Sequence, residues 1–175
     1  MEPYTLGLFA NMYPSFDGDY RGIFIRQMVR DLEARGVTVK KAVKVSSSVT
    51  GYIPFYWQSL LLARDPSIDI LQADYIPHSS LIPAIIRRRD IPLILKFHGD
   101  DGRIYPFKNP FTMALTRSML NRADHIITSS EEIRKTLIGI GGVPQRITTI
   151  HTGVDIGFFT PGSQSEARAA LRLPE

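Results

Sequence analysis

At 175 residues, 43% of them hydrophobic and 22% charged, the chain has material for one domain with a sizeable core, which excludes a disordered or fibrous protein. The absence of cysteine excludes disulfides, thiolate catalysis and Cys-ligated zinc. A formal charge of +4 is a mild excess, typical of a solvated surface and too small to imply a nucleic-acid partner.

The first predicted element is an apolar strand from Tyr4 to Ala10, closed by Asn11 and a loop with Pro14, Asp17, Gly18 and Asp19. From Gly22 to Arg35 the residues Ile25, Met28, Val29 and Leu32 recur at helical spacing, and Gly36 ends that helix. Alternation and valine predict a strand over Val37 to Val45. An aromatic-rich helix follows from Phe55 to Arg64; its Phe55, Tyr56 and Trp57, with Tyr52 before it, are expected to pack the core, the competing reading being contact with a membrane-facing partner. The pattern then repeats: strand Ile68 to Ala73, helix Ser79 to Arg88 despite Pro83, strand Pro92 to Phe97, and a long loop from His98 to Asn109. Helix Phe111 to Arg122, strand His125 to Thr128, helix Ser130 to Ile138 and strand Gln145 to His151 complete it. Arg87, Arg88 and Arg89 suit a helix C-terminus.

Strands separated by helices of this length call for parallel pairing through crossovers. The expected fold is therefore an α/β, doubly wound, Rossmann-like parallel sheet with helices on both faces. Residues 1–160 make this domain, and 161–175 read as a linker and the start of a second one. No run reaches the roughly 18–20 apolar residues of a membrane-spanning helix, and the opening MEPYTLGLFANMYP has no basic region followed by an apolar run, so a cytoplasmic location is expected.

In such a sheet ligands bind beyond the carboxyl ends of the strands, which singles out the loops Asn11 to Gly22, Asp74 to Ser79, His98 to Phe107 and Thr152 to Asp155. The loop before Gly22 leads into a helix N-terminus, a natural seat for phosphate, yet it lacks the glycine fingerprint of dinucleotide enzymes and the phosphate loop of NTPases. Lys44-Val45-Ser46 also replaces the acid that a dinucleotide enzyme carries after its second strand. Phe97-His98-Gly99-Asp100-Asp101 places an imidazole at a strand end, beside a glycine and two carboxylates. For His98 a core histidine satisfied by the fold competes with a functional one, and for Asp101 a capping role is favoured. His78, His125 and His151 lack metal-ligand spacing, so no metal site is expected. Ser129-Ser130 with Glu131 and Glu132 reads as a helix cap.

The segments YPSFDGDYRGIFIRQMVRDLEARGVTV, DILQADY, PLILKFHGDD, RADHIITSSEEIRKTL and ITTIHTGVDIGFFTP, in that order, resemble the N-terminal half of family 4 retaining glycosyltransferases of the GT-B architecture. ARAALRLPE resembles the start of that family's second domain. The resemblance implies an acceptor-side domain of a hexosyltransferase-type enzyme, with a nucleotide sugar as donor, a glycan or lipid-linked acceptor, and no cofactor or obligatory metal. It implies that His98 reaches the transferred sugar, that Gly18, Arg21, Gly22, Arg26, Gly99 and Asp100 face the donor and its phosphates, and that Gly153, Val154 and Asp155 form the interdomain turn. Tyr20-Arg21-Gly22 stands where the family usually has tandem glycines. The isolated chain is expected to fold without turning over. Peripheral contact with the inner face of a membrane accompanies many such acceptors. The alternative is a non-catalytic module that binds a sugar or phosphate in the same crevice.

Overall fold

Six short strands, rich in Leu, Ile, Val and Phe, pair in parallel throughout a computed structural model that describes residues 4–154, 156–157 and 159–174. They are β1 (Thr5–Ala10), β2 (Thr38–Val43), β3 (Ile70–Asp74), β4 (Leu93–Phe97), β5 (His125–Thr128) and β6 (Ile147–Thr149), in the order β2-β1-β3-β4-β5-β6. The chain steps one way from β1 to β2 and the other way ever after. The order therefore reverses beside β1, and the crevice of the fold lies over the carboxyl ends of β1 and β3.

Because successive side chains of a strand point to opposite faces, the two faces can be read from the packing. On one face α1 (Ile23–Ala34) sets Ile25 and Val29 against Leu8 and Ala10. The other face presents Phe9, Leu71, Leu95, Phe97 and Ile126 to α2 (Tyr52–Leu62), α3 (Leu81–Ile86), α5 (Pro110–Arg122) and α6 (Glu131–Gly139). Handedness explains the split, since right-handed crossovers running in opposite directions along a sheet fall on opposite faces. Each fully buried side chain of this size contributes about 1.5–3 kcal/mol.

The expected doubly wound sheet is thus observed, with three local differences. First, α2 begins at Tyr52, led by a 3-10 turn over Val49–Gly51, because Pro54 occupies the third helical position, where the N–H it lacks has no intrahelical partner. Pro83 sits at the same position of α3. Secondly, the stretch after β4, expected to be loop, holds α4 (Asp100–Arg103) and a 3-10 turn at Tyr105–Phe107. Thirdly, α3 and β6 are shorter than expected. The aromatic segment also divides: Phe55 is core, Tyr52 and Tyr56 are half-buried, and Trp57 is 63% exposed. Beyond β6 lies α7 (Gln164–Ala170), capped by Ser163, with no buried residue. Among the described residues no helix is long and apolar enough to cross a membrane.

Candidate functional site

The floor of the crevice is built where β3 and β4 end. Asp74, the last residue of β3, is fully buried and shares its face of the strand with Gln72, whose Nε2 donates to Asp74 Oδ2 at 2.8 Å. Asp74 Oδ1 lies 2.6 Å from Nε2 of His98, the residue after β4. A carboxylate only accepts, so Nε2 carries the proton and Nδ1 is left as the second nitrogen of the ring. The imidazole is tilted against Phe24 of α1 at 4.7 Å and Tyr75 at 4.9 Å, and its side chain is 6% exposed. His98 therefore has the partners of a structurally satisfied histidine while it borders the first turn of α1. Tyr75 reaches it from a left-handed backbone, φ 64°, an uncommon state for a bulky residue. Burial, and then the charges of Asp101 and Asp74, push the Tyr75 hydroxyl above its ordinary range.

Asp101 fastens this floor. Its carboxylate accepts from the backbone N–H groups of His98, Gly99 and Ile76, at 3.0, 2.8 and 3.2 Å, and so ties the turn after β4 to the turn after β3. Burial nevertheless pushes its pKa up, since desolvation outweighs the backbone N–H groups and the neighbouring His98 that pull it down. Ser129 Oγ donates to the His98 carbonyl, and Ser130 caps α6. Asp100 is exposed at the start of α4, and Gly99 precedes it in an extended conformation.

The opposite rim is the loop from Asn11 to Gly22. Gly22 begins α1 with φ 65°, and a Cβ there would lie 2.6 Å from the Met12 carbonyl oxygen, so only glycine fits. No side chain caps α1; the Ile23 N–H is taken up by the Tyr20 carbonyl at 3.3 Å and the Ile25 N–H by that of Gly22 at 2.9 Å, which leaves the N–H groups of Gly22 and Phe24 and the positive end of the helix dipole open. The nearby cations are already engaged. Arg21 clamps Asp19 through Nε at 3.0 Å and Nη2 at 2.8 Å, which holds the Asp19 carboxyl far below the usual carboxylate range. Arg26 pairs with Asp17 at 3.2 Å. Gly18 stands in a left-handed turn, φ 97°, with no heavy atom near its missing Cβ.

Two hollows adjoin over the switch point, sharing Asn11 and Met12. One, of about 260 Å³, is lined by Tyr13, Lys44, Ser46 and Tyr52. The other, of about 210 Å³, is lined by Tyr75, His78, Asp100, Tyr105 and Lys108. Asn11 donates through Nδ2 to the Tyr52 hydroxyl at 3.4 Å, and its Oδ1 is buried without a partner. Such an acceptor is costly unless something donates to it, so the wall is set to receive a hydroxyl or N–H group. Burial, with Lys108 second, lowers the pKa of His78.

A larger cleft of about 470 Å³ runs along α1, lined by Phe24, Met28, Lys96, His151, Gly153 and Val154. The expected interdomain turn thus stands beside α1, while Asp155 lies outside the described residues. Among the described residues no three acidic or histidine side chains cluster in a way that could hold a metal ion. Asn11, Asp74 and Tyr75 lie in two of the loops expected to border the crevice, yet none of the three stood out individually as a site residue. The available signal was that Gln72 and Asp74, two polar residues two apart, interrupt an otherwise apolar central strand.

Residues 26–158 match the family model described as Glycosyltransferase Family 4. Among curated relatives, D-inositol 3-phosphate glycosyltransferase 1 of Catenulispora acidiphila is 28% identical over 126 residues, which make up 65% of this chain and 29% of the relative. The D-inositol 3-phosphate glycosyltransferase of Mycobacterium tuberculosis is 37% identical over 59 residues, 33% of this chain and 12% of the relative. Among solved structures, sucrose-phosphate synthase from Thermosynechococcus elongatus superposes with a TM-score of 0.70 at 15% identity, over 98% of this chain and 53% of that one. HepE of Anabaena, in complex with UDP and glucose, gives 0.60 at 19% identity, over 95% and 50%. The chain thus spans about half the length of the structures it matches.

Proposed function

The chain belongs to glycosyltransferase family 4, and from that premise we propose that it is the acceptor-side domain of an enzyme that transfers a hexosyl group, with retention, from a nucleotide sugar to a glycan or lipid-linked acceptor. The observation that carries this reading is the juxtaposition of the uncapped N-terminus of α1 with His98, joined by the contact between Phe24 and the imidazole, at the switch point of the sheet. The two open N–H groups, of Gly22 and Phe24, with the positive end of the helix dipole suit the diphosphate that leaves with the nucleotide, and preorganised dipoles of this kind stabilise developing negative charge. His98, held by Asp74, presents its second nitrogen toward the sugar. Arg21 and Arg26 are committed to Asp19 and Asp17, so on this side the helix terminus carries the electrostatic work and the remaining positive charge comes from a donor-binding domain reached through residues 161–175. HepE, which shares the fold, was crystallised with UDP and glucose, and this supports a nucleotide-sugar donor. No cofactor enters the scheme.

The test is transfer from a panel of sugar nucleotides to glycan and lipid acceptors, assayed with the longest natural gene product that carries this chain and with the 175-residue chain alone. Transfer by the long form, an inert short form and a loss of about 10²-fold in kcat for His98→Ala support the reading. A long form that binds sugars but transfers none makes the domain a binding module.

A further inference from the structure

From Ser46 to Ala63 the chain carries no charged residue, yet α2 and its 3-10 lead lie at the surface. Every fourth residue of this stretch, Val49, Ile53, Trp57 and Leu61, is large, apolar and exposed, by 83%, 74%, 63% and 57%. Pro54 is exposed between them. A surface helix ordinarily shows charges to water and its apolar stripe to the core. Here the inward stripe is already occupied, with Phe55, Ser59 and Leu62 buried, so the outer stripe is a second apolar face that the fold leaves uncovered. A contiguous patch of this kind on a helix marks contact with a membrane or another protein.

Charge and residue type decide between the two. Arg64, exposed, stands just past the end of the helix, and at its start the buried Lys44 adds a positive charge held against the Ser46 carbonyl and over the Tyr52 ring. The carboxylates beside that end are each paired with a cation, Asp65 with Lys40 and Asp90 with Arg88, whose guanidinium also reaches the Pro66 carbonyl. The apolar stripe is therefore bracketed by net positive charge and has no free acid along its length. Trp57 sits midway, and tryptophan is the side chain most at home at the boundary between acyl chains and headgroups. We propose that the outer face of α2 docks this domain on an anionic lipid surface, with Val49, Ile53, Trp57 and Leu61 inserted to headgroup depth and Arg64 against the phosphates. The first residue of α2, Tyr52, also lines the hollow that holds Asn11, so a docked domain holds that hollow near the bilayer surface. The docking itself does not depend on the transferase reading.

Trp57 is the only tryptophan, so its fluorescence reports on this face alone. The 175-residue chain is titrated with phosphatidylcholine vesicles and with vesicles of phosphatidylcholine and phosphatidylglycerol in equal parts. The expected result is a shift of emission to shorter wavelength and quenching by brominated acyl chains on the anionic vesicles, weakened by salt. Ile53→Ser with Leu61→Ser lowers partitioning by about tenfold or more, and Arg64→Gln by about fivefold. Both variants keep the wild-type unfolding midpoint, because the altered side chains are exposed. Two results overturn the proposal. One is an emission unmoved by either vesicle. The other is a short-wavelength emission without lipid that rises with protein concentration, alongside dimers in sedimentation velocity, which assigns the face to a second copy of the chain.

Discussion

The two sides of the crevice are built on opposite plans. Over β3 and β4 the polar groups are buried and bonded to one another across long stretches of chain: Asp74 to His98, and Asp101 to the turns after both strands. On the β1–α1 side the charges pair locally, Asp19 with Arg21 two residues on and Asp17 with Arg26 nine residues on, and the important element is a glycine. The first side is a fixed floor whose geometry depends on satisfied hydrogen bonds. The second is a rim whose geometry depends on backbone conformation. Damage to the floor should therefore register as lost stability, and damage to the rim's side chains hardly at all.

The sharpest way to break this contrast is Asp101→Ala, which strands three backbone N–H groups in the floor. A loss of about 3 kcal/mol or more is expected in urea unfolding followed by circular dichroism. A loss below about 1 kcal/mol would show that water replaces the carboxylate and that the floor is not fixed. Next comes Gly22→Ala, which forces a side chain into a left-handed backbone and against the Met12 carbonyl; about 2 kcal/mol is expected, with weaker sugar-nucleotide binding in calorimetry of the long form. Smaller again is a pH effect at His78. Burial lowers its folded pKa below the unfolded 6.5, so the unfolded chain takes up the proton first, and stability falls as pH drops through that region. His78→Phe should flatten that part of the stability–pH curve. The smallest effect is expected for Arg21→Gln, whose charge is already held by Asp19. Donor affinity should stay within a few-fold of wild type, and a large drop would return Arg21 to the phosphate site.

The same contrast explains what could be read before the fold was seen. The central strands were plain because a parallel sheet covered on both faces demands near-continuous apolar runs, as in Leu93–Phe97. The start of α2 was misjudged at Pro54, where proline suggests a break although the first turn tolerates it, whereas the helix around Pro83 was expected and is observed. The rim was legible in outline, since Gly22 before an amphipathic stretch is a local signal. The floor was not, because Asp74 and His98 are 24 residues apart and nothing local to either indicates the other. Helix α4 escaped for the same reason, as its start depends on a buried carboxylate that also answers to Ile76. An outward role for α2 ranked second under a sound rule, that aromatic residues at helical spacing pack inward, which Phe55 obeys and Trp57 does not.

The strand order has a consequence for how the chain is made. β1 emerges first but lies inside the sheet, and its partner β3 begins 64 residues later, at Ile70 opposite Leu6. At a synthesis rate of about 5–20 residues per second, β1 waits about 3–13 seconds for that partner. During the wait β1 can form only the unit with α1 and β2, which leaves one edge of β1 unpaired. The segment that later forms the switch point is thus the one most exposed to mispairing at birth, and a slow stretch of translation just after β2 would lengthen the exposure whereas a fast one would shorten it.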